Sequence, residues 1–377
     1  MRLLFLIQGK SVEDHPGYHD GCLRLLAEGS LSAYEPFCYY GEAEKAGGWK
    51  PCWESLIRKA EAFAPDLIFL EFFHGPIRDT QFLMHKLREL PSRPTIASSC
   101  GDPFVPGLSF HNFPKSLQDS TGLADLSFFT QMGAGASAAA KWGARNIVFW
   151  PHGSCQVRFN SHLNVDNWAP EFDLVFIGSN TIGRNPLSSH NMAAKKRGNI
   201  VAALARRYGT RFGLFGNGWS GLKSWQGPIP YLAQVSTMRR GRLVFGGYPH
   251  TLADYYLSDR PFIAMGSGIP FLDYCVPKVD RIFRPEEHWY LYRDERDLFA
   301  QCDRLLGEDQ TDLMARAKTA ADLVHEKHTQ YHRMKFAAQV MRDLREARQA
   351  GRKCPVPHIG FLLADAPQDG AVVNWVG

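Results

Sequence analysis

The 377-residue chain lacks most of the features that assign a function at sight. Its eight cysteines, at positions 22, 38, 52, 100, 155, 275, 302 and 354, include no CxxC pair and form no dense framework. A disulfide scaffold is therefore not expected, and a reducing cytoplasm is the simplest compartment. No apolar run approaches bilayer length, so no transmembrane segment is expected and membrane contact would be peripheral. The opening MRLLFLIQG is too short for a signal-peptide core with its cleavage site and reads as a first buried strand. No GxxxxGK[ST] stretch occurs, which argues against a P-loop nucleotide hydrolase. Charge of one sign is not concentrated either. The chain carries 43 basic and 38 acidic residues, a net +5, spread along its length. That balance tolerates an anionic partner without demanding one.

What is present is a folding pattern. A hydrophobic content of 45% with 21% charged residues belongs to a folded soluble chain. Its length suits two domains, each able to bury a core. Apolar runs at 2–8, 66–72, 94–99, 125–130 and 146–150 alternate with amphipathic stretches such as WESLIRKAEAF and TQFLMHKLREL. Continuous apolar strands between amphipathic helices indicate a parallel sheet covered on both faces. Residues 151–170 break the rhythm with polar and turn-forming residues and read as an interdomain connection. The rhythm restarts with strands at 172–178, 211–216, 242–247 and 269–274, a basic helix at 193–209 and a helix through TLADYYLSDR. Further helices are expected near 295–306, 311–326 and 330–349. The expected fold is α/β, two Rossmann-like domains facing across a cleft. Their expected bounds are 1–160 and 171–340, with 341–377 a helix end and tail able to pack back on the first domain. Ligands of such folds bind at strand-end loops and helix N-termini.

Three strand-end segments of the second half draw attention. FDLVFIGSNTIGR offers the small residues Gly178 and Ser179, whose backbone N–H groups can reach an anion, followed by Arg184. RFGLFGNGWSG holds a formal GxGxxG at 216–221, but loop rather than helix follows, which weakens a dinucleotide reading. Gly216 then allows close backbone approach, and Trp219 is a candidate wall for a base or sugar. In LSDRPFIAMGSGIPFL, Ser258 or Asp259 can cap a helix beginning near Arg260. A cation in the first turn opposes the helix dipole, and a shared anion removes the conflict. Gly266 and Gly268 permit close packing and a turn into the next strand.

The order FDLVFIGS…R, LFGNGW, SDRPFIAMGSGIPFL and HTQYHR resembles GT-B glycosyltransferases, and within them the spore-maturation-protein (CgeB-like) group. The resemblance spans roughly residues 170–335 and extends more weakly through AKWGARNIVFWPHGS. It implies a nucleotide-diphosphate sugar held mainly by the second domain and an acceptor held by the first. It implies no obligatory metal and no cofactor beyond that co-substrate. Carried over to this chain, Gly178, Ser179, Arg184, Arg260 and Gly268 are donor-side residues. One departure stands out: where the family commonly has a ribose-binding glutamate, this chain has Ile263. Asp273 or Glu286 is an alternative acid.

Acid–base chemistry is sought in the first half. QGKSVEDHPGYHDG, after the first strand, holds His15, His19 and Asp20, and a histidine or carboxylate there can take an acceptor proton. His19 with Asp20 ranks first, Asp102 of SSCGDP second, and Glu71 with His74 third, although caps and turns use the same residue types. His325, His328 and His332 fall at helical spacing, but no metal site is expected from them. The absence of a DxD triplet at a strand end also weakens metal-dependent sugar transfer. The acceptor is open between glycan, protein, small molecule and DNA. The basic stretches at 193–198 and 238–242 permit a DNA-base glycosyltransferase of the same fold. Ile263 permits a non-catalytic nucleotide- or sugar-binding protein on a decayed transferase fold.

Overall fold

The computed structural model describes residues 1–73, 75–101, 113–182, 189–249 and 252–352. They fall into two compact units. One holds the chain before residue 102, residues 113–151 and everything described from Gln330 onward; the other holds 152–329.

The first unit contains β1 (Arg2–Ile7), α1 (Pro16–Ala27), β2 (Ala33–Cys38), α2 (Tyr39–Lys45), α3 (Trp49–Phe63), β3 (Leu67–Leu70) and α4 (Thr80–Arg88). It continues with β4 (Thr95–Cys100), α5 (Lys115–Leu123), β5 (Leu126–Phe129), α6 (Ala134–Lys141) and β6 (Ile147–Phe149). All strand pairs are parallel, in the order β2-β1-β3-β4-β5-β6. Side chains alternate along each strand. Leu3, Phe5 and Ile7 therefore join a core with Tyr18, Cys22 and Leu25 of α1. Leu4 and Leu6 join the opposite core with Trp53, Leu56 and Ala60 of α3. Two covered faces explain why these strands read as continuous apolar runs. β2 escaped that reading because it is the edge strand and carries Glu35 and Pro36, which an edge tolerates.

The second unit contains β7 (Phe172–Ile177), α7 (Ser189–Tyr208), β8 (Phe212–Phe215), β9 (Trp225–Gly227), α8 (Gln234–Met238) and β10 (Gly241–Phe245). α9 (Asp259–Gly266), β11 (Phe271–Tyr274), β12 (Tyr290–Tyr292), α10 (Glu295–Gly307) and α11 (Gln310–Lys327) follow. Its sheet is parallel in the order β12-β11-β10-β7-β8-β9. Counted from β7, this is the doubly wound dinucleotide-fold order.

Two expectations need correction here. The helix through TLADYYLSDR does not form. Tyr255 takes a left-handed backbone (φ 63°), and helix starts only at Asp259, after Ser258 in extended geometry. The segment 151–170, expected as the interdomain connection, packs onto the second unit: Phe159 is buried edge-on against Tyr231 at 5.4 Å, and the Trp168 indole donates to the Arg239 carbonyl. Finally, α12 (Gln330–Gln349) lies entirely with the first unit, so the return falls at 330 and not after 340, where the sequence reading drew it. Its Met334, Ala337, Val340 and Met341 fill the core beside α1.

Candidate functional site

In open α/β sheets the strand order reverses at a switch point, and the loops leaving the carboxyl ends there diverge to leave room for a ligand. In the second unit this point lies between β7 and β10. Gly178 follows β7, Gly246 follows β10, and α9 starts nearby. Beside this point, the ends of β10 and β11 and the start of α9 line a pocket of about 100 Å³. Arg197, Gly246, Tyr248, Ser258, Arg260 and Asp273 are among its walls.

Arg260 occupies the first turn of α9, as the sequence suggests. Its Nη1 donates to the Gly246 carbonyl at 2.9 Å, and its guanidinium lies 5.7 Å from the Phe176 ring centre. A Cβ on Gly178 would stand 3.2 Å from Arg260 Nη2 and 2.8 Å from the Phe176 ring, so only glycine lets the arginine lie across the β7 terminus. Arg197, which sequence inspection left inside a basic helix, is buried on α7 and donates through Nε and Nη2 to the Tyr248 carbonyl at 3.0 and 2.8 Å. Burial and the nearby Arg260 charge bring its pKa down to about 10. Both guanidiniums rest on neutral carbonyls, which orient them without cancelling their charge.

Asp273 ends β11 in the same pocket and accepts the Tyr274 N–H at 2.9 Å. Burial pushes its carboxyl up to about 6, against the opposing pull of that N–H, Arg260 and Arg197. Two cations outweigh one weakened acid. In addition, Ser258 makes no side-chain cap bond at the α9 terminus. Together these groups favour an anion.

The other residues expected on the donor side separate by position. Ser179 Oγ accepts the Asn217 N–H at 3.3 Å, and the Gly178 carbonyl accepts the Trp219 indole N–H at 2.6 Å. Trp219 is only 3% exposed and packs edge-on against Phe176. It braces the two strand-end loops from within instead of forming an open wall. Gly216 (φ 123°) brings its backbone against Gly178. Gly268 (φ 80°) turns the chain out of the opposite end of α9, with its N–H on the Met265 carbonyl, and does not line the pocket. Ile263 is buried within α9. Glu286 is paired with Arg304 and does not line this pocket. Arg184, Asp102 and His74 lie outside the described residues.

In the first unit the order reverses between β1 and β3, and there the structure joins residues that sequence ranking kept apart. His15, from the loop after β1, places Nδ1 3.1 Å from Oε1 of Glu71, which follows β3. Glu71 is fully buried, and its other oxygen accepts the Gln8 N–H at 3.1 Å. The two groups stand at ion-pair distance without hydrogen-bond geometry, so the buried carboxylate can stabilise the imidazole once it is protonated. His19 instead hydrogen-bonds the Tyr34 hydroxyl through Nδ1 at 3.0 Å, and burial lowers its pKa. Asp20 is held by Arg24 one turn along α1 at 2.8 Å. His19 and Asp20 thus serve separate partners. The pairing of His15 with Glu71 was hidden because it depends on strand order, and β2, which fixes that order, was not recognised.

The late histidines serve packing. His325 Nε2 meets the Gly266 carbonyl at 3.0 Å, and His328 lies between Phe262 and Phe283. His332 packs against Tyr331 in the first unit. No helix among the described residues is long and apolar enough to cross a membrane.

Comparison with known proteins agrees with this architecture. Residues 196–339 match the family model described as glycosyl transferase-like. No curated protein matches the chain. Among solved structures, HepE of Anabaena in complex with UDP and glucose aligns with a TM-score of 0.57 and 14% identity. The alignment covers 91% of this chain and all of HepE. Sucrose-phosphate synthase of Thermosynechococcus elongatus aligns at 0.61 and 11% identity, over 92% of this chain and all of that one. The UDP-forming trehalose-phosphate synthase of Burkholderia vietnamiensis gives 0.58 and 11% identity, over 92% and 99%. With two parallel six-stranded Rossmann-like sheets and these structural relatives, the chain has the GT-B fold.

Proposed function

We propose that the chain is a glycosyltransferase that moves a sugar from a nucleotide-diphosphate sugar to an acceptor hydroxyl without a metal, in the manner of the spore-maturation group that its motif order resembles. The observation that carries this reading is the paired-arginine pocket between the ends of β10 and β11 in the second sheet, set at the start of α9. Support also comes from the glycosyl transferase-like match over this region and from HepE, whose structures contain UDP and UDP-glucose.

In this reading the diphosphate sits against the first turn of α9 and Arg260. As the sugar–phosphate bond breaks, negative charge grows on the departing phosphate. Arg260, the α9 N–H groups and Arg197 behind them stabilise it. That role needs fixed positive charge, and two arginines provide it where other transferases use a metal held by a DxD triplet. Asp273 replaces the acid missing at position 263 and takes a hydroxyl of the donor. For an inverting reaction, His15 Nε2 accepts the proton of the attacking hydroxyl, and the Glu71 carboxylate beside Nδ1 stabilises the imidazolium that forms. Electrons flow from the hydroxyl oxygen to the anomeric carbon and leave with the diphosphate.

A thermal-shift titration tests the donor assignment. UDP and UDP-glucose should raise the melting temperature in a concentration-dependent way, because a ligand of the native state stabilises it. Arg260→Ala should remove that shift while His15→Gln retains it. Equal shifts in wild type and Arg260→Ala would remove the pocket from the mechanism. A full screen of nucleotides without any response would remove the donor reading itself.

A further inference from the structure

The first unit has a second cavity that the donor chemistry does not use. It measures about 540 Å³ and opens at the carboxyl end of β1. Gly9, Lys10 and Asp14 of the loop before α1 form one side, Tyr40 and Glu44 of α2 another, and Trp49 at the start of α3 a third, leaving it open to solvent. Its volume falls within the range of roughly 300–1,000 Å³ common to small-molecule sites.

The walls are organised. Trp49 meets Tyr40 edge-to-face at 5.5 Å and stacks on buried Trp53 at 5.3 Å, so its ring is fixed from behind. The loop is tied by Asp14, whose carboxylate accepts the backbone N–H groups of Lys10 and Ser11 at 2.6 and 3.3 Å. Lys10 Nζ pairs with Glu44 at 2.7 Å on the rim. The cavity is also joined to the His15–Glu71 pair. Gln8 donates its backbone N–H to Glu71, and its side chain hydrogen-bonds the Tyr40 hydroxyl. Asp14 lines the cavity, and His15 is the next residue in the chain.

The lining selects a ligand class. Most of its surface is apolar and two of its walls are aromatic, which suits the C–H face of a pyranose ring. Two carboxylates face one ammonium at the edge, so hydroxyl groups find acceptors there, while a phosphorylated or carboxylated ligand meets repulsion. Building on the glycosyltransferase reading, we propose that this cavity is the acceptor subsite and that it takes an uncharged saccharide. One ring stacks on Trp49 and Tyr40, and the reacting hydroxyl lies on the His15 side.

The test is ligand binding to the whole protein by saturation-transfer NMR. Maltose, cellobiose and lactose serve as neutral probes, glucose 6-phosphate as the charged control and phenol as the aromatic control. At least one disaccharide should bind saturably, and glucose 6-phosphate should bind at least tenfold more weakly. Trp49→Ala should weaken disaccharide binding tenfold or more while leaving the UDP-induced thermal shift unchanged. Should Trp49→Ala not fold, the surface change Glu44→Ala decides, with a threefold or greater loss expected. Binding of phenol alone, binding of no disaccharide, or disaccharide binding indifferent to the variant that folds would each overturn the proposal. Saccharide binding through Trp49 in a protein that no nucleotide stabilises would leave the cavity assignment standing and refute the glycosyltransferase reading.

Discussion

His15 and His19 stand one helical turn apart, yet the fold gives them different tasks. His15 precedes α1 and turns to the β3 terminus, where a buried carboxylate waits; His19 turns to a tyrosine of the edge strand β2. His15→Gln should therefore lower turnover by about 10²- to 10⁴-fold, the usual range for a lost general base, with donor affinity kept. His19→Gln should change turnover by less than about tenfold on the same scale. Steady-state kinetics beside UDP calorimetry separates the two, and equal losses would return His19 to candidacy. Asp273 yields a prediction in pH. Its carboxyl rises from 3.8 to about 6 on folding because burial desolvates it, which the Tyr274 N–H, Arg260 and Arg197 offset only in part. The native state thus holds this proton more tightly than the unfolded chain. The stability tied to it is full below pH 4 and is lost as pH rises through 6. Asp273→Asn cannot ionise, so its urea midpoint should lack that decline between pH 4 and 6. Parallel curves for variant and wild type would show that Asp273 titrates normally.

At the scale of elements, local pattern and tertiary need agree in most places. The strands at 172–178 and 242–247, the helices near 295–306 and 311–326, and the short helix opened by Arg260 were legible because periodicity and capping residues act within a few residues. β2 and the unwound stretch before α9 were not. An edge strand with Glu35 and Pro36 lacks the apolar signature, and the left-handed Tyr255 overrides the helical pattern of TLADYYLSDR. The site followed the same division. Gly178 was read at a strand end, Arg260 at a helix start and Asp273 as a stand-in for the acid missing at Ile263, whereas Arg197 and the His15–Glu71 pair depend on which strands lie side by side. Packing of α1 on α12 offers a direct check. Glycine inside a helix is ordinarily improved by alanine, by about 0.5–1 kcal/mol. At Gly21, however, a Cβ would stand 2.9 Å from the Tyr331 backbone. Gly21→Ala should instead destabilise, by about 1–3 kcal/mol as overpacking does, measured by urea unfolding. A stabilised variant would show that the two helices separate at little cost.

For the whole molecule, the decisive fact is that the chain leaves the first unit after residue 151 and returns to it at Gln330. Sequence rhythm revealed two α/β halves but placed the return too late, because α12 continues a helical series begun in the second unit. Its Met334, Val340 and Met341 each bury a side chain worth roughly 1.5–3 kcal/mol. Their sum approaches the stability of roughly 5–15 kcal/mol that a whole domain possesses. A chain ending at Thr329 should therefore lose the cooperative transition of its first unit while the second still unfolds cooperatively, as calorimetry would record. Two intact transitions after truncation would make α12 dispensable.

Where the second unit begins and ends, its two chain segments touch. The Ser154 N–H donates to the His328 carbonyl at 2.9 Å, and Ser154 bridges to Thr329. Residues 152–329 are thus stitched shut at their own base like an inserted cassette. Exchange of that cassette at two neighbouring splice points offers a route to chimaeras that replace the second unit whole while the host keeps its helix α12.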